Sequence, residues 1–104
     1  MQDFPEAVIP FYTYMLRCSD GSYYVGHTDD LDRRVHNHDT GICGGYTSRR
    51  RPVTLVWAAD HQSRTVAFAM ERQIKGWSRA KKEALMCGDF DALPGLARGR
   101  GRQR

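Results

Sequence analysis

Residues 11–26, FYTYMLRCSDGSYYVG, decide the fold. Phe11 to Cys18 is rich in aromatic residues and predicts a strand, and Ser22 to Gly26 predicts the strand that returns beside it. The turn between them, Ser19-Asp20-Gly21, determines which side chains share a face. A two-residue Asp-Gly turn pairs Ser19 with Ser22 and sends Tyr14 and Tyr24 to opposite faces. A three-residue loop with Gly21 in the left-handed position pairs Cys18 with Ser22 instead. Tyr24 then lies opposite Leu16, with Tyr14 as its diagonal neighbour on the same face. Gly21 stands at the bulge position, which favours the three-residue loop.

Beyond the hairpin, Thr28 or Asp29 is the expected cap of a helix that runs to about Thr40 and ends at Gly41. Leu31, Val35 and His38 fall on one side of it, with Arg34 adjoining. Residues 41–52 read as a loop rich in Gly and Arg whose tip carries Tyr46 and Thr47, and Val53 to Ala59 as a third strand. Ser63 caps a second helix with Val66, Met70 and Ile74 in an apolar stripe, closing near Gly76 and Trp77. Ser78 opens a third helix that ends at Gly88. Two strands, a helix, a strand and two helices predict a single-domain α/β sandwich over residues 11–88. Residues 1–10 read as a leader. Residues 89–104 read as a short helical turn, Asp91 to Ala97, and a basic tail too polar to bury.

Composition sets the outer limits. A chain of 104 residues, 40% hydrophobic, supports one modest core and not two. The most apolar stretch, Ala7 to Leu16, is interrupted by Pro10 and Thr13, so no membrane span is expected. The N-terminus carries Gln2, Asp3 and Glu6 in place of a secretion signal. Three cysteines, Cys18, Cys43 and Cys87, are an odd number without CxxC spacing, which speaks against a disulfide scaffold and a cysteine zinc site. A reducing cytoplasm is the expected location.

Charge is distributed unevenly. Residues 1–48 carry three basic residues against seven acids, a net of −4; residues 49–104 carry thirteen against five, a net of +8. The positive charge gathers in Arg49-Arg50-Arg51, in Lys75 to Lys82 and in the tail from Arg98. A polyanionic partner follows, nucleic acid ahead of anionic lipid.

Among residues that carry chemistry, His36 and His38 are two apart and point to different helix faces, and His27 and His61 stand alone. No histidine set reaches the three or four ligands of a zinc site. Asp29, Asp30 and Asp32 suit a helix first turn, where acids complement the dipole, better than a two-metal site. Trp57 and Trp77 read as core or core edge. More specific is the ordered set Tyr14, Tyr24-Val25-Gly26, Arg34, His38 and Glu71. Arg34 and His38 are helix neighbours four apart, and Glu71 borders the apolar stripe of the helix opened by Ser63.

This set resembles the GIY-YIG nuclease superfamily, in particular its small single-domain bacterial proteins. The two signature halves stand here as Tyr12-Thr13-Tyr14 and Tyr24-Val25-Gly26; the signature arginine matches Arg34, the helix histidine His38 and the metal-binding glutamate Glu71. The similarity runs from about Phe11 to Leu85 and includes GYTSRRRPVTLVW. The resemblance implies a three-stranded antiparallel sheet flanked by helices (β-β-α-β-α-α) and a divalent-metal-dependent DNA endonuclease. It assigns Tyr14, Tyr24, Arg34, His38 and Glu71 to catalysis, with Glu71 holding Mg²⁺ or Mn²⁺.

These residue types suit that chemistry. Mg²⁺ commonly takes one or two carboxylates and fills its shell with water and phosphate, so one glutamate suffices. An arginine grips phosphate oxygens and offsets charge in the transition state. A phenol needs a shift of about three pKa units, roughly 4 kcal/mol, to serve as a base at neutral pH, and a metal ion and Arg34 both act in that direction. His38 is the alternative proton relay, and either tyrosine fits the position facing water.

The pattern departs from relatives that place a lysine beside or just after the second tyrosine: here Tyr23 precedes it and His27 stands three positions after it. Larger members carry an asparagine after the glutamate, whereas Asn37 is the only asparagine here. His27, Tyr46, Thr47 and Arg49 are the expected substrate contacts, the last three from a loop lining the cleft. Without an attached DNA-binding domain, branched, flapped or damaged DNA is a more fitting substrate than a defined sequence. A ribonuclease and a non-catalytic nucleic-acid-binding module are the alternative readings.

Overall fold

Strand β1 (Phe11–Arg17) lies between β2 (Tyr23–Thr28) and β3 (Thr54–His61), antiparallel to both, in a sheet ordered β2-β1-β3. The computed structural model describes residues 10–89. The turn takes the three-residue form: Cys18 N donates to Ser22 O at 2.8 Å, Gly21 has φ +86°, and Leu16 faces Tyr24. Asp20 reinforces it by accepting from the Ser22 backbone N–H and hydroxyl.

The helices are α1 (Leu31–Thr40), α2 (Gly45–Ser48), α3 (Arg64–Lys75) and α4 (Arg79–Met86). Asp30, one residue beyond the expected position, is the N-cap of α1 and accepts from Arg33 N at 3.2 Å. Thr28 caps Asp30 in turn, its Oγ1 accepting from Asp30 N. Gly41 closes α1 in the left-handed conformation that a side chain disfavours. Ser63 and Ser78 cap α3 and α4 as their sequences predict.

Two expectations are corrected. Residues 45–48 form one helical turn inside the segment read as loop, because Gly44 and Gly45, both at positive φ, turn the chain into it. The third strand runs to His61, beyond Ala59, because Phe11 of the long central strand pairs with it there. The expected turn at Asp91–Ala97, the leader and the tail lie outside the described residues.

Pleating divides the core between the two faces of the sheet. Tyr14 and Leu16 of β1, with Cys18 just beyond it, pack with Val53, Tyr24 and the α1 residues Leu31 and Val35. Met15 and Val25 point the other way, onto Ile74 of α3 and Leu85 of α4, with Trp57 and Trp77 at the margin of that cluster. Thr13, fully buried on the α3 face, donates to Ala67 O at 2.8 Å and joins His61 Nε2 at 3.1 Å, locking β1 to α3 and β3. Because among the described residues β2 has no strand on its outer side, residues from both faces can meet around this edge.

Candidate active site

Tyr14 and Tyr24 share the α1 face, with ring centroids 6.4 Å apart, as the hairpin register requires. The Tyr14 ring reaches across β2 over Gly26, its direct cross-strand partner. His38, buried on α1, completes the group: its Nε2 is 2.9 Å from the Tyr14 hydroxyl, and its ring centroid is 5.0 Å from that of Tyr24. On its other side Nδ1 lies 2.7 Å from Thr47 Oγ1. A neutral imidazole has one donor and one acceptor, and two hydroxyls satisfy both in either tautomer.

Burial sets the protonation of this group. It pushes the Tyr14 phenol well above the ordinary tyrosine value, and the neighbouring Tyr24 adds to this. It also pulls His38 below its ordinary 6.5, and the Arg34 charge acts in the same direction. Tyr14 is 1% exposed, whereas Tyr24 lines an open cleft of about 310 Å³ together with Tyr23, Val25, Tyr46, Lys75 and Lys82.

Glu71 reaches the site from the other face. α3 carries it to His27 of β2, whose Nδ1 is 2.5 Å from Glu71 Oε1, while Lys75 Nζ is 2.8 Å from Oε2. Burial opposes ionisation of this 8%-exposed carboxyl, but the bonds to Lys75 and His27 outweigh it and hold Glu71 below the ordinary carboxylate range. Lys75 ties the two halves together around the free edge of β2, because its Nζ also lies 5.7 Å over the Tyr24 ring. The charges of Glu71 and Arg34 both act on the Tyr14 phenol, with opposite sign.

Among the described residues no three His, Cys, Asp or Glu side chains group to hold a metal, and Glu71 is the carboxylate that meets His27 and Lys75. It is compatible with a hard cation. An ionised carboxylate has about four lone-pair positions, of which two are engaged here. The Lys75 side chain is half-exposed on a flexible stem, so its ammonium can yield its place.

The remaining expected residues divide. His27 meets Glu71, and Tyr46 stacks on Tyr24 with centroids 6.2 Å apart and Arg50 3.8 Å above its ring. Arg34 is exposed at the surface of α1 and reaches Tyr14 and His38 through its charge. Arg49 is exposed and has no side-chain bond among the described residues; Arg50 takes the place beside Tyr46. Thr47 is 1% exposed and its hydroxyl meets His38, because the α2 turn alternates Tyr46 outward and Thr47 inward. Lys75 was legible from its i+4 spacing to Glu71, a signal overshadowed by its reading as part of a basic cluster. Lys82 stood out only as a member of that basic cluster, and no local pattern marked Tyr23.

The chain is similar to known proteins over most of its length. The family model described as GIY-YIG catalytic domain matches residues 10–84. A UPF0213 protein of Halobacterium salinarum is 46% identical over 74 residues, covering 71% of this chain and 96% of that protein. One from Natronomonas pharaonis is 42% identical over 78 residues, covering 75% and 92%. The solution NMR structure of a protein from E. faecalis, 32% identical, superposes with a TM-score of 0.54 and covers 78% of this chain and 86% of that one. Among the described residues no helix is long and apolar enough to cross a membrane. With its two signature tyrosines on one face, and a family model that matches from the first strand into the last helix, the chain belongs to the GIY-YIG nuclease superfamily.

Proposed function

We propose that this protein is a divalent-metal-dependent endonuclease that hydrolyses DNA phosphodiester bonds in branched, flapped or damaged structures, in the service of repair, recombination or turnover. The observation that carries the reading is the bridge made by Lys75, which joins buried Glu71 to the ring of Tyr24 at the mouth of an open cleft.

Tyr24 lines the open cleft, and in this reading its phenol oxygen accepts a hydrogen bond from the attacking water and aligns it with phosphorus. Tyr14 is buried, and with its pKa raised it keeps its proton. Its hydroxyl donates to Nε2 of neutral His38, and Nδ1–H then donates to Thr47. This chain fixes the imidazole against the Tyr24 ring and makes His38 a positioning residue. Arg34, solvated and always charged, grips a non-bridging oxygen of the scissile phosphate. Glu71 is the residue to hold Mg²⁺ or Mn²⁺, with His27 orienting its carboxylate. Bound there, the cation supplies charge stabilisation to the phosphoryl oxygens.

The test is nicking of labelled flaps, forks, junctions and linear duplex with Mg²⁺ or Mn²⁺. Glu71→Ala is expected to abolish cleavage and leave DNA binding near wild type; equal cleavage by both proteins would remove Glu71 from the mechanism. Wild-type protein that binds branched DNA and never cuts it would instead be a nucleic-acid-binding module.

A further inference from the structure

We infer that the cleft along the free edge of β2 is a subsite for one unpaired nucleotide of single-stranded DNA, its base lying against Tyr46 and Tyr23 and its phosphate held by Lys82. The inference rests on the nucleic-acid reading above, but not on cleavage.

Three tyrosines, Val25 and two lysines line the cleft. Tyr23 is a fixed wall: its hydroxyl donates to Glu83 Oε2 at 3.0 Å, and Arg79 lies 4.7 Å over its ring. Arg79 also pairs with Glu83 at 3.0 Å and Lys75 with Glu71 at 2.8 Å, so neither of these carboxylates confronts an incoming phosphate bare. Tyr46 is 41% exposed, an unusual position for a large ring, and it is braced by Arg50 and by Tyr24. Braced rings lose little freedom when a base stacks on them.

The three lysines near this edge differ in what they meet. Lys75 is paired with Glu71, and Lys81 lies 4.1 Å over the Trp77 ring. Lys82 lines the cleft, is half-buried, and has no carboxylate partner among the described residues. Burial alone pulls its ammonium below the ordinary lysine value. A partly desolvated cation without a counter-charge is the group that an arriving anion would stabilise most.

Size and chemistry then select the occupant. At about 310 Å³ the cleft stands at the small end of ligand sites and admits one nucleotide, not a duplex. Paired bases bury their faces in the stack, so only an unpaired base can present one to Tyr46. Tyr24 lines the same cleft, which sets the unpaired nucleotide directly beside the phosphate to be cut.

The experiment is metal-free binding of the full chain to fluorescent oligothymidylate, oligouridylate and blunt duplex, read by anisotropy over a salt series. Wild-type protein is expected to prefer the oligothymidylate to the duplex. Lys82→Gln is expected to lower the single-strand salt slope by about 0.7, the share of one phosphate contact. Tyr46→Leu is expected to weaken single-strand binding roughly five- to hundredfold, while Tyr46→Phe restores it. Equal affinity for duplex, or Lys82→Gln and Tyr46→Leu variants that bind as wild type, would overturn the subsite. Tighter binding of oligouridylate would overturn its assignment to DNA. Protein that binds the single strand in this manner but never cuts it with metal would uphold the subsite and remove the endonuclease reading alone.

Discussion

The Tyr14 phenol occupies the space that a side chain on Gly26 would need: a Cβ there would lie 2.5 Å from the Tyr14 hydroxyl oxygen and 2.6 Å from Cζ. The glycine of the second signature half is therefore a steric requirement of the tyrosine in the first. Gly26→Ala must push a fully buried ring away from His38. The expected result is a loss of about 1–3 kcal/mol in denaturant unfolding, the usual cost of overpacking, together with reduced cleavage. Wild-type stability in this variant would show that the ring has room to move.

The two tyrosines should fail differently. Tyr24→Phe removes a hydroxyl at an open cleft, and cleavage should fall roughly 10²–10⁴-fold, the range for a lost acid–base group, with little change in stability. Tyr14→Phe leaves buried His38 Nε2 without its partner and should cost about 1–3 kcal/mol in stability. Cleavage retained by Tyr24→Phe would reverse the roles given to the pair.

Thr47 is expected to act through His38, to which its hydroxyl is bonded. Thr47→Val should destabilise the fold by about 1–3 kcal/mol by leaving Nδ1 unpaired in the interior, and Thr47→Ser should recover much of that. DNA affinity of the folded Thr47→Val protein should match wild type. A selective loss of affinity at unchanged stability would return Thr47 to the substrate.

Acid should weaken the fold in two separate windows. Burial holds His38 below 6.5, so on acidification the unfolded chain takes up its proton first. The stability His38 contributes is complete above pH 6.5 and declines as pH falls from there toward its folded value. Glu71 is also depressed, but as an acid: its contribution is present above 4.5 and is lost as pH falls below that through its folded value. Unfolding free energy followed from pH 8 to 3 should show both declines, and His38→Gln should erase only the upper one. A flat profile between pH 7 and 5 would mean that His38 is not held neutral.

Much of the fold was legible because its signals are local. Ser63 and Ser78 announce helix starts through side-chain caps, Gly41 a helix end through its left-handed backbone, and Gly21 a hairpin register through the turn it allows. The α2 turn was not legible, because a single helical turn has too few residues to show a period and depends here on two adjacent glycines at positive φ. Of the candidate site, the shared face of Tyr14 and Tyr24 was legible and the wiring was not. That Tyr14 and Tyr24 share a face follows from a two-residue alternation, which any strand obeys.

What the chain determined by itself, then, is the run of elements, the face of each strand residue and the five signature side chains, since all of these depend on neighbours within a few positions. Only the tertiary structure decided that Tyr14 is sealed and Tyr24 open, that Thr47 turns inward to His38, and that Lys75 closes the circuit from Glu71 around a bare strand edge. Burial and pairing are properties of the packed sheet and helices together. No stretch of sequence encodes them alone, because Tyr14 meets His38 across 24 positions and His27 meets Glu71 across 44.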